Sequence, residues 1–128
     1  MQELRHEEGA GCILIDIVGL GQVNRNLGEH VGTSRLTELA HFLDSAMNYE
    51  GCVGRYGHDD FILLYPDLNV QALKREIQYI TSHAPIDVRW AALHIAHPRE
   101  VPLQRVIRNL YHMLQEQGSG KLKSVSDR

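Results

Sequence analysis

The sequence has no apolar run that approaches the roughly 20 residues needed to cross a bilayer, and neither sign of charge is in large excess. Its net charge of -3 gives no global attraction to nucleic acid or to anionic lipid. The opening stretch MQELRHEE is polar and acidic and is unlike a secretory signal. These absences predict a cytoplasmic location, no membrane segment in this chain and no nucleic-acid partner.

Cysteine is also scarce, and the chain contains no internal repeat or low-complexity tract. Cys12 and Cys52 both lie in apolar, strand-like runs, where a free thiol usually behaves as a small buried hydrophobe. They indicate a reducing compartment, although a bridge between neighbouring strands stays open. With 128 residues, 43% of them hydrophobic, the composition is typical of one globular domain. We expect a single domain over 1–128, with residues 1–9 as a lead-in or linker.

Apolar periodicity divides the chain into strands and helices. The run at 12–18 is almost continuously apolar and predicts a central strand buried on both faces. Further strands are predicted at 52–56, 61–65, 86–96 and 121–125, and helices near 20–27, 34–47, 70–80 and 103–114. Thr33 or Ser34 is expected to cap the second helix and Asn69 the third, whose face with Lys74, Arg75 and Glu76 should be solvated.

This order of elements, β-α-α-β-β-α-β-α with a weak final strand, indicates an α+β fold. The pattern favours a ferredoxin-like, split β-α-β antiparallel sheet with helices on its faces. In such a sheet the first strand lies beside the second strand of the hairpin and runs antiparallel to it. Residues near the end of the first strand should therefore meet the tip of the hairpin.

The predicted hairpin and the first strand carry the acidic residues of greatest interest. The hairpin turn, Gly-His-Asp-Asp at 57–60, holds two carboxylates at the tip of the sheet. Asp16 interrupts the first strand, and because a buried charge without a partner is costly, we expect it to lie near the strand's exit or to bind something there. The topology predicts that Asp16 and Asp59 converge.

Paired carboxylates suit Mg²⁺, which takes one or two protein carboxylates and completes its coordination with water and substrate phosphates. Two aspartates in a turn are nevertheless a weak signal, and a solvated turn without a ligand stays open. His58 can be an ordinary turn residue, a metal ligand or a plug in a nucleotide site. Asn24 can be an ordinary polar residue at a helix end or a nucleotide contact.

The stretch RYGHDDFILLYP at 55–66 resembles the signature of the GGDEF-type diguanylate cyclases, whose signature turn here reads Gly-His-Asp-Asp-Phe. The resemblance covers roughly 12–118 in the family's element order, and LIDIV at 14–18 matches the family's first strand. It implies a GGDEF-type nucleotide cyclase palm fold that binds GTP with Mg²⁺. It also implies metal ligands at Asp16, Ile17 and Asp59, catalytic positions at Asp59 and Asp60, and nucleotide contacts at Asn24, Gly57 and His58.

Several positions depart from the family pattern. Val18, Arg25 and Thr33 stand where aspartates are usual, Gly21 and Leu114 where lysines are usual, and His58 where the second glycine of the turn is usual. The product-inhibition site of the family, an arginine and an aspartate, should fall at Asn48 and Gly51, which carry neither charge. The resemblance therefore implies weak substrate binding and no inhibitory site for cyclic di-GMP.

Three hypotheses follow. The first is a degenerate diguanylate-cyclase-like domain without efficient synthesis, which acts as a regulatory or interaction module, binds GTP weakly, and forms a homodimer or controls an attached signalling domain. The second is an active cyclase that makes cyclic di-GMP from two GTP molecules with Mg²⁺. The third is a ferredoxin-like protein-binding module with no nucleotide.

Overall fold

The computed structural model describes residues 9–57 and 59–125. Its elements are β1 (Ala10–Ile17), α1 (Leu20–Leu27), α2 (Glu29–Ala46), β2 (Cys52–Tyr56), β3 (Asp60–Tyr65), α3 (Val70–His83), β4 (Val88–Ile95), a short 3-10 turn (Pro98–Glu100), α4 (Leu103–Gln117) and β5 (Lys121–Val125). The lead-in predicted at 1–9 lies outside the described residues apart from Gly9. Within the described ranges, no helix is both long and apolar enough to cross a membrane.

The strands form one five-stranded sheet in the order β2-β3-β1-β4-β5. The neighbours β2, β3, β1 and β4 are antiparallel to one another, as the split β-α-β plan predicts. The final strand, β5, pairs with β4 in parallel, because α4 lies between them in the chain and returns β5 to the starting end of β4. The predicted α+β fold is confirmed, with a sheet that is mixed at one edge.

Side-chain alternation along β1 separates two cores. Ile13, Ile15 and Ile17 pack with α2 and α3 on one face of the sheet, and Cys12 and Leu14 pack with α4 on the other. Since successive side chains of a strand point to opposite faces, a strand that is apolar at both parities must be covered on both sides. The prediction that the first strand is central is confirmed.

Two helix starts test the predicted caps. Asn69 caps α3 as expected, and its side-chain oxygen accepts a hydrogen bond from the Ala72 N–H at 2.8 Å. The prediction for α2 is wrong, because this helix begins at Glu29 and contains Thr33 and Ser34 in its interior. Gly28 sits between α1 and α2 with φ of 93°, a conformation open to glycine, so one residue both ends one helix and starts the next.

The two cysteines differ in exposure. Cys12 is buried and Cys52 is exposed, and both are free. Burial, followed by the nearby Cys52 thiol, raises the pKa of Cys12 to about 12. Both residues pair with Leu64, one from each side, so a whole strand separates them and their Cα atoms lie about 10 Å apart, too far for a bridge. The expectation that Cys52 is buried is wrong because β2 is an edge strand.

A buried carboxylate ties three segments together on the α3 side. Glu76 is 1% exposed, so the expectation that this residue of α3 is solvated is wrong. Its two oxygens accept hydrogen bonds from the Asn48 backbone N–H at 3.1 Å, the Asn48 side-chain amide at 2.8 Å and the Tyr65 hydroxyl at 2.7 Å. Burial and the adjacent Glu76 raise the pKa of Tyr65. The carboxylate joins α3, β3 and the segment that leads into β2.

Loss of the Glu76 carboxylate should destabilise the fold. We expect Glu76→Ala to lower the free energy of unfolding by about 3 kcal/mol, since it leaves the buried hydroxyl of Tyr65 and the part-buried donors of Asn48 without an acceptor. Tyr65→Phe should cost about 1.5 kcal/mol. Urea unfolding measures both, and Glu116→Ala, an exposed position on α4, is the matched control. Equal costs at Glu76 and Glu116 would contradict the assignment.

Candidate functional site

A row of polar side chains crosses four strands at one end of the sheet. Asp60 of β3 pairs with Tyr56 of β2 on one side and with Asp16 of β1 on the other. Asp16 in turn pairs with Arg89 of β4. Directly paired residues project from the same face of a sheet, so Tyr56, Asp60, Asp16 and Arg89, here called the polar row, all lie on the face covered by α4.

The carboxylates at this end of the sheet converge. Oxygens from Asp16, Asp59 and Asp60 all lie within 4.8 Å of one another, and each residue is partly buried. Asp16 and Asp60 are placed by the strand pairing, and Asp59 comes from the turn before β3. The prediction that Asp16 meets the hairpin tip is therefore met in the geometry, and the roles of the residues stay predictions.

Two neighbours engage the carboxylates. Arg89 donates from Nη2 to Oδ2 of Asp16 at 2.7 Å, and the hydroxyl of Tyr111, on α4, donates to Oδ2 of Asp60. Tyr111 also lies 5.9 Å from Tyr56, ring centroid to ring centroid. The acidic cluster is thus enclosed by a cation on one side and an aromatic pair on the other.

The surroundings of Asp60 raise the pKa of its carboxyl above the ordinary value. Burial is the main cause that raises the pKa of this carboxyl, and the charges of Asp16 and Asp59 raise it further, while the hydrogen bond from Tyr111 acts in the opposite direction. The pKa of Tyr111 is raised in turn, by burial and then by Asp60. Crowded carboxylates of this kind are relieved by a proton or by a cation.

The turn glycine fits closely against this arrangement. Gly57 has φ of 76°, and a Cβ added there would lie 3.3 Å from Oδ2 of Asp60 and 3.9 Å from the Tyr111 hydroxyl. The positive φ disfavours any other residue. Gly57 therefore lies at the cluster, and its contact with a nucleotide stays a prediction, whereas His58 lies outside the described residues.

The two remaining predicted site residues lie on β1 and α1. Ile17 ends β1 with its side chain buried in the core, so only its backbone carbonyl could serve as a ligand. Asn24 is on α1, and its Oδ1 is buried without a hydrogen-bond partner among the described residues. That oxygen lies against Gly32 of α2, where an added Cβ would approach it to 1.8 Å. Within 9–57 and 59–125, the Asn24 Oδ1 makes no hydrogen bond that would link it to the carboxylates.

Oxygen donors from separate segments at this spacing fit a hard divalent cation such as Mg²⁺, which prefers carboxylates and water. Asp16 and Asp59 would hold the ion, and the carbonyl of Ile17 is a further oxygen near the end of β1. Such an ion, when bound, would supply charge neutralisation to phosphates. The carboxylates would orient it, and the Tyr111 hydroxyl donates its proton to Asp60.

Sequence reasoning missed Arg89 altogether. It inferred that Asp16 needs a partner, and a basic residue in the alternating strand 86–96 was an available signal. Which residue of that strand faces Asp16 depends on the register between β1 and β4. The contact of Tyr111 with Asp60 likewise depends on how α4 docks.

An apolar cavity of about 500 Å³ opens at the other end of the sheet. Its walls include Cys12, Leu64, Ile95 and Val106, and its lining contains none of the three aspartates of the cluster.

Comparison with known proteins gives one family. The family model described as "Diguanylate cyclase, GGDEF domain" matches residues 1–96. A search of curated proteins finds no match to this chain.

Solved structures share the fold at low sequence identity. The diguanylate cyclase SiaD of Pseudomonas aeruginosa, solved with its activator SiaC, superposes with a TM-score of 0.77 at 18% identity, over 94% of this chain and 52% of that one. The active GGEEF domain of a Vibrio cholerae diguanylate cyclase gives 0.70 at 18% identity, over 94% and 85%. The GGDEF domain of DgcB from Caulobacter crescentus, solved with c-di-GMP, gives 0.66 at 14%, over 91% and 78%. This chain spans about half the length of the SiaD chain.

Because the pKa of Asp60 is raised, we expect a neutral side chain at this position to increase the free energy of unfolding in a pH-dependent way. A carboxyl whose pKa is higher in the folded state stabilises the fold at pH values below its unfolded pKa, and this stabilisation is lost as the pH rises through the folded pKa. Asp60→Asn stays neutral and can still accept from Tyr111. In metal-free buffer this variant should be more stable than the wild type at pH 7, and the difference should shrink towards pH 4.

Urea unfolding at the two pH values measures this difference. Asp44→Asn removes an exposed carboxylate from α2 and should show no comparable pH-dependent gain. A loss of stability in Asp60→Asn at pH 7 would contradict the charge crowding described for the cluster.

Proposed function

The chain belongs to the GGDEF family of diguanylate cyclase domains, and from this premise we propose that it is a degenerate member without efficient synthesis of cyclic di-GMP. It acts as a regulatory or interaction module in cyclic di-GMP signalling. It retains the carboxylates that orient a metal ion and has lost groups that grip a nucleoside triphosphate. GTP binds weakly, with Mg²⁺ at Asp16, Ile17 and Asp59.

The observation that carries this proposal is the setting of Leu114. The family resemblance places a lysine here, facing the terminal phosphates, whereas Leu114 is 4% exposed and packs in the α4 core with Leu110 and Met113. A leucine offers a phosphate neither charge nor hydrogen bond. Each lost charge-assisted hydrogen bond costs about 1.5–3 kcal/mol of binding, or roughly one to two powers of ten in affinity.

The nucleotide side of the site is weakened in a second place. Val18, where an acidic residue is usual, is an exposed apolar side chain. Thr33, in the interior of α2 and exposed, offers a hydroxyl where an aspartate would hold guanine. These substitutions leave the carboxylate cluster intact, which supports weaker binding of the nucleotide with retention of the metal site.

The position of the inhibitory site also supports this view. The Asn48 amide is hydrogen bonded to the buried Glu76, and a Cβ added at Gly51 would lie 2.2 Å from the Leu64 carbonyl oxygen. This backbone therefore leaves no room for an aspartate at residue 51. Product inhibition by cyclic di-GMP is not part of the proposed function.

Partners follow from the module role. Among the solved neighbours, SiaD was crystallised with an activator protein. For this chain we propose a cytoplasmic setting and either a second copy of the domain or an attached signalling domain as the element it controls. Nucleic acid is not a proposed partner, since the net charge is -3.

An active cyclase is the second candidate, and one observation favours it. The convergence of Asp16, Asp59 and Asp60 within 4.8 Å is the part of the site on which metal-assisted phosphoryl transfer depends most directly. Synthesis would also require two such domains to bring their bound GTP molecules together. A chain with this substituted signature would retain turnover if its carboxylates bound the metal ion and if two domains met in this way.

A turnover assay separates the candidates. The purified 128-residue chain is incubated with GTP and Mg²⁺ or Mn²⁺, cyclic product is quantified by mass spectrometry, and the heat of GTP binding is measured separately. We expect binding without turnover, with the binding weakened by Asp59→Ala and unaffected by Asp44→Ala. Clear turnover that Asp59→Ala abolishes would establish the active cyclase instead. Neither binding nor turnover would favour a protein-binding module without nucleotide.

Base selectivity tests the role of Asn24. Since Oδ1 is buried against Gly32, we expect the amino group of this amide to contact the ligand. Guanine presents an acceptor, O6, where adenine presents an amino donor. Asn24→Ala should therefore weaken GTP binding by about tenfold while ATP binding changes less, and Asn26→Ala, exposed on the same helix, should change neither. Equal losses for GTP and ATP would exclude base recognition by Asn24.

A further inference from the structure

The acidic cluster contains its own counter-cation. Arg89 projects from β4 directly beside Asp16 of β1 and donates to its Oδ2 at 2.7 Å. Asp16 is 15% exposed and Arg89 is 46% exposed, so the carboxylate is largely withdrawn from water while the guanidinium reaches it from the solvent side. The charge of Asp16 is therefore balanced by a side chain of the same protein.

Arg89 contacts one of the three carboxylates that a metal ion at the cluster would use. Oxygens of Asp16, Asp59 and Asp60 lie within 4.8 Å of one another, and a dication bridging them must share Asp16 with the guanidinium or lie within a few ångströms of it. The charges of the ion and of Arg89 repel each other at that separation. Both cations would bind to the Asp16 carboxylate, and each would weaken the binding of the other.

We propose that Arg89 is a built-in competitor that lowers the affinity of the acidic cluster for divalent metal ions, a proposal that rests on the metal-binding role proposed above. The competition is reversible, because an ion pair with a half-exposed arginine is weak and its side chain can swing into solvent. Displacement of Arg89 from Asp16, by a bound anion such as a phosphate group or by a partner's carboxylate, then raises metal affinity. Arginine suits this role because its planar fork binds both carboxylate and phosphate.

Competition has a different signature from a phosphate-binding arginine. If Arg89 only served to bind phosphate, its removal would weaken nucleotide binding and leave binding of the metal alone unchanged. If it competes for Asp16, its removal tightens binding of the metal alone. A titration without nucleotide separates the two roles.

The experiment titrates the full 128-residue chain with Mn²⁺ alone, by electron paramagnetic resonance of the free ion and by calorimetry, at low ionic strength. Arg89→Met should bind Mn²⁺ at least about tenfold more tightly than the wild type. Arg89→Lys keeps the charge and should remain within about threefold of the wild type. Lys74→Met removes an exposed positive charge from α3 and should leave the affinity unchanged.

A double substitution locates the effect. Asp16→Asn should abolish the gain produced by Arg89→Met, since both changes act on one ion pair. Urea unfolding of each variant verifies that the fold is retained.

The proposal is overturned if Arg89→Met leaves Mn²⁺ affinity unchanged, if Lys74→Met raises it equally, or if neither the wild type nor Arg89→Met binds Mn²⁺. These outcomes are independent of the proposed lack of turnover, because the titration contains no nucleotide. That function is overturned by formation of cyclic product or by the absence of GTP binding, and both are measured in separate experiments.

Discussion

In the centre of the sheet, β1 pairs with β3 on one side and with β4 on the other, and this double pairing determines what surrounds Asp16. The register gives Asp16 a like charge, Asp60, as one neighbour and an opposite charge, Arg89, as the other. A slip of one residue would separate them, but it would also turn the isoleucines of β1 away from the core they build with α2 and α3. The free energy that fixes the register of the strands also fixes the composition of the site.

The resulting site is electrostatically unbalanced. Within the described part of the chain, three carboxylates meet, and of these Asp16 has an ion-pair partner and Asp60 a hydroxyl donor. Burial first, and then the charges of Asp16 and Asp59, raise the pKa of Asp60. A proton, a metal ion or a basic side chain can each relieve the part of this shift that comes from like charges.

The sequence was sufficient for the fold and for the meeting of the acidic residues, because strand order follows from element order and because Asp16 lies near the end of an apolar strand. It was insufficient wherever the burial of a residue depends on neighbours from distant parts of the chain. Glu76 shares an amphipathic helix with exposed basic residues, and only the docking of Asn48 and Tyr65 reveals it as buried. Cys52 has the pattern of a core residue but lies on an edge strand. The start of α2 was predicted wrongly because the helix begins after the backbone of Gly28, without a side-chain cap.

The division of the sheet into two faces has a consequence for how such a domain can diverge. The face under α2 and α3 carries the larger apolar core and encloses the buried Glu76, while the α4 face is apolar at one end and bears the polar row at the other. Substitutions in the polar row leave the larger core untouched. A chain with this arrangement can change or lose the chemistry of its polar row and still adopt the same fold.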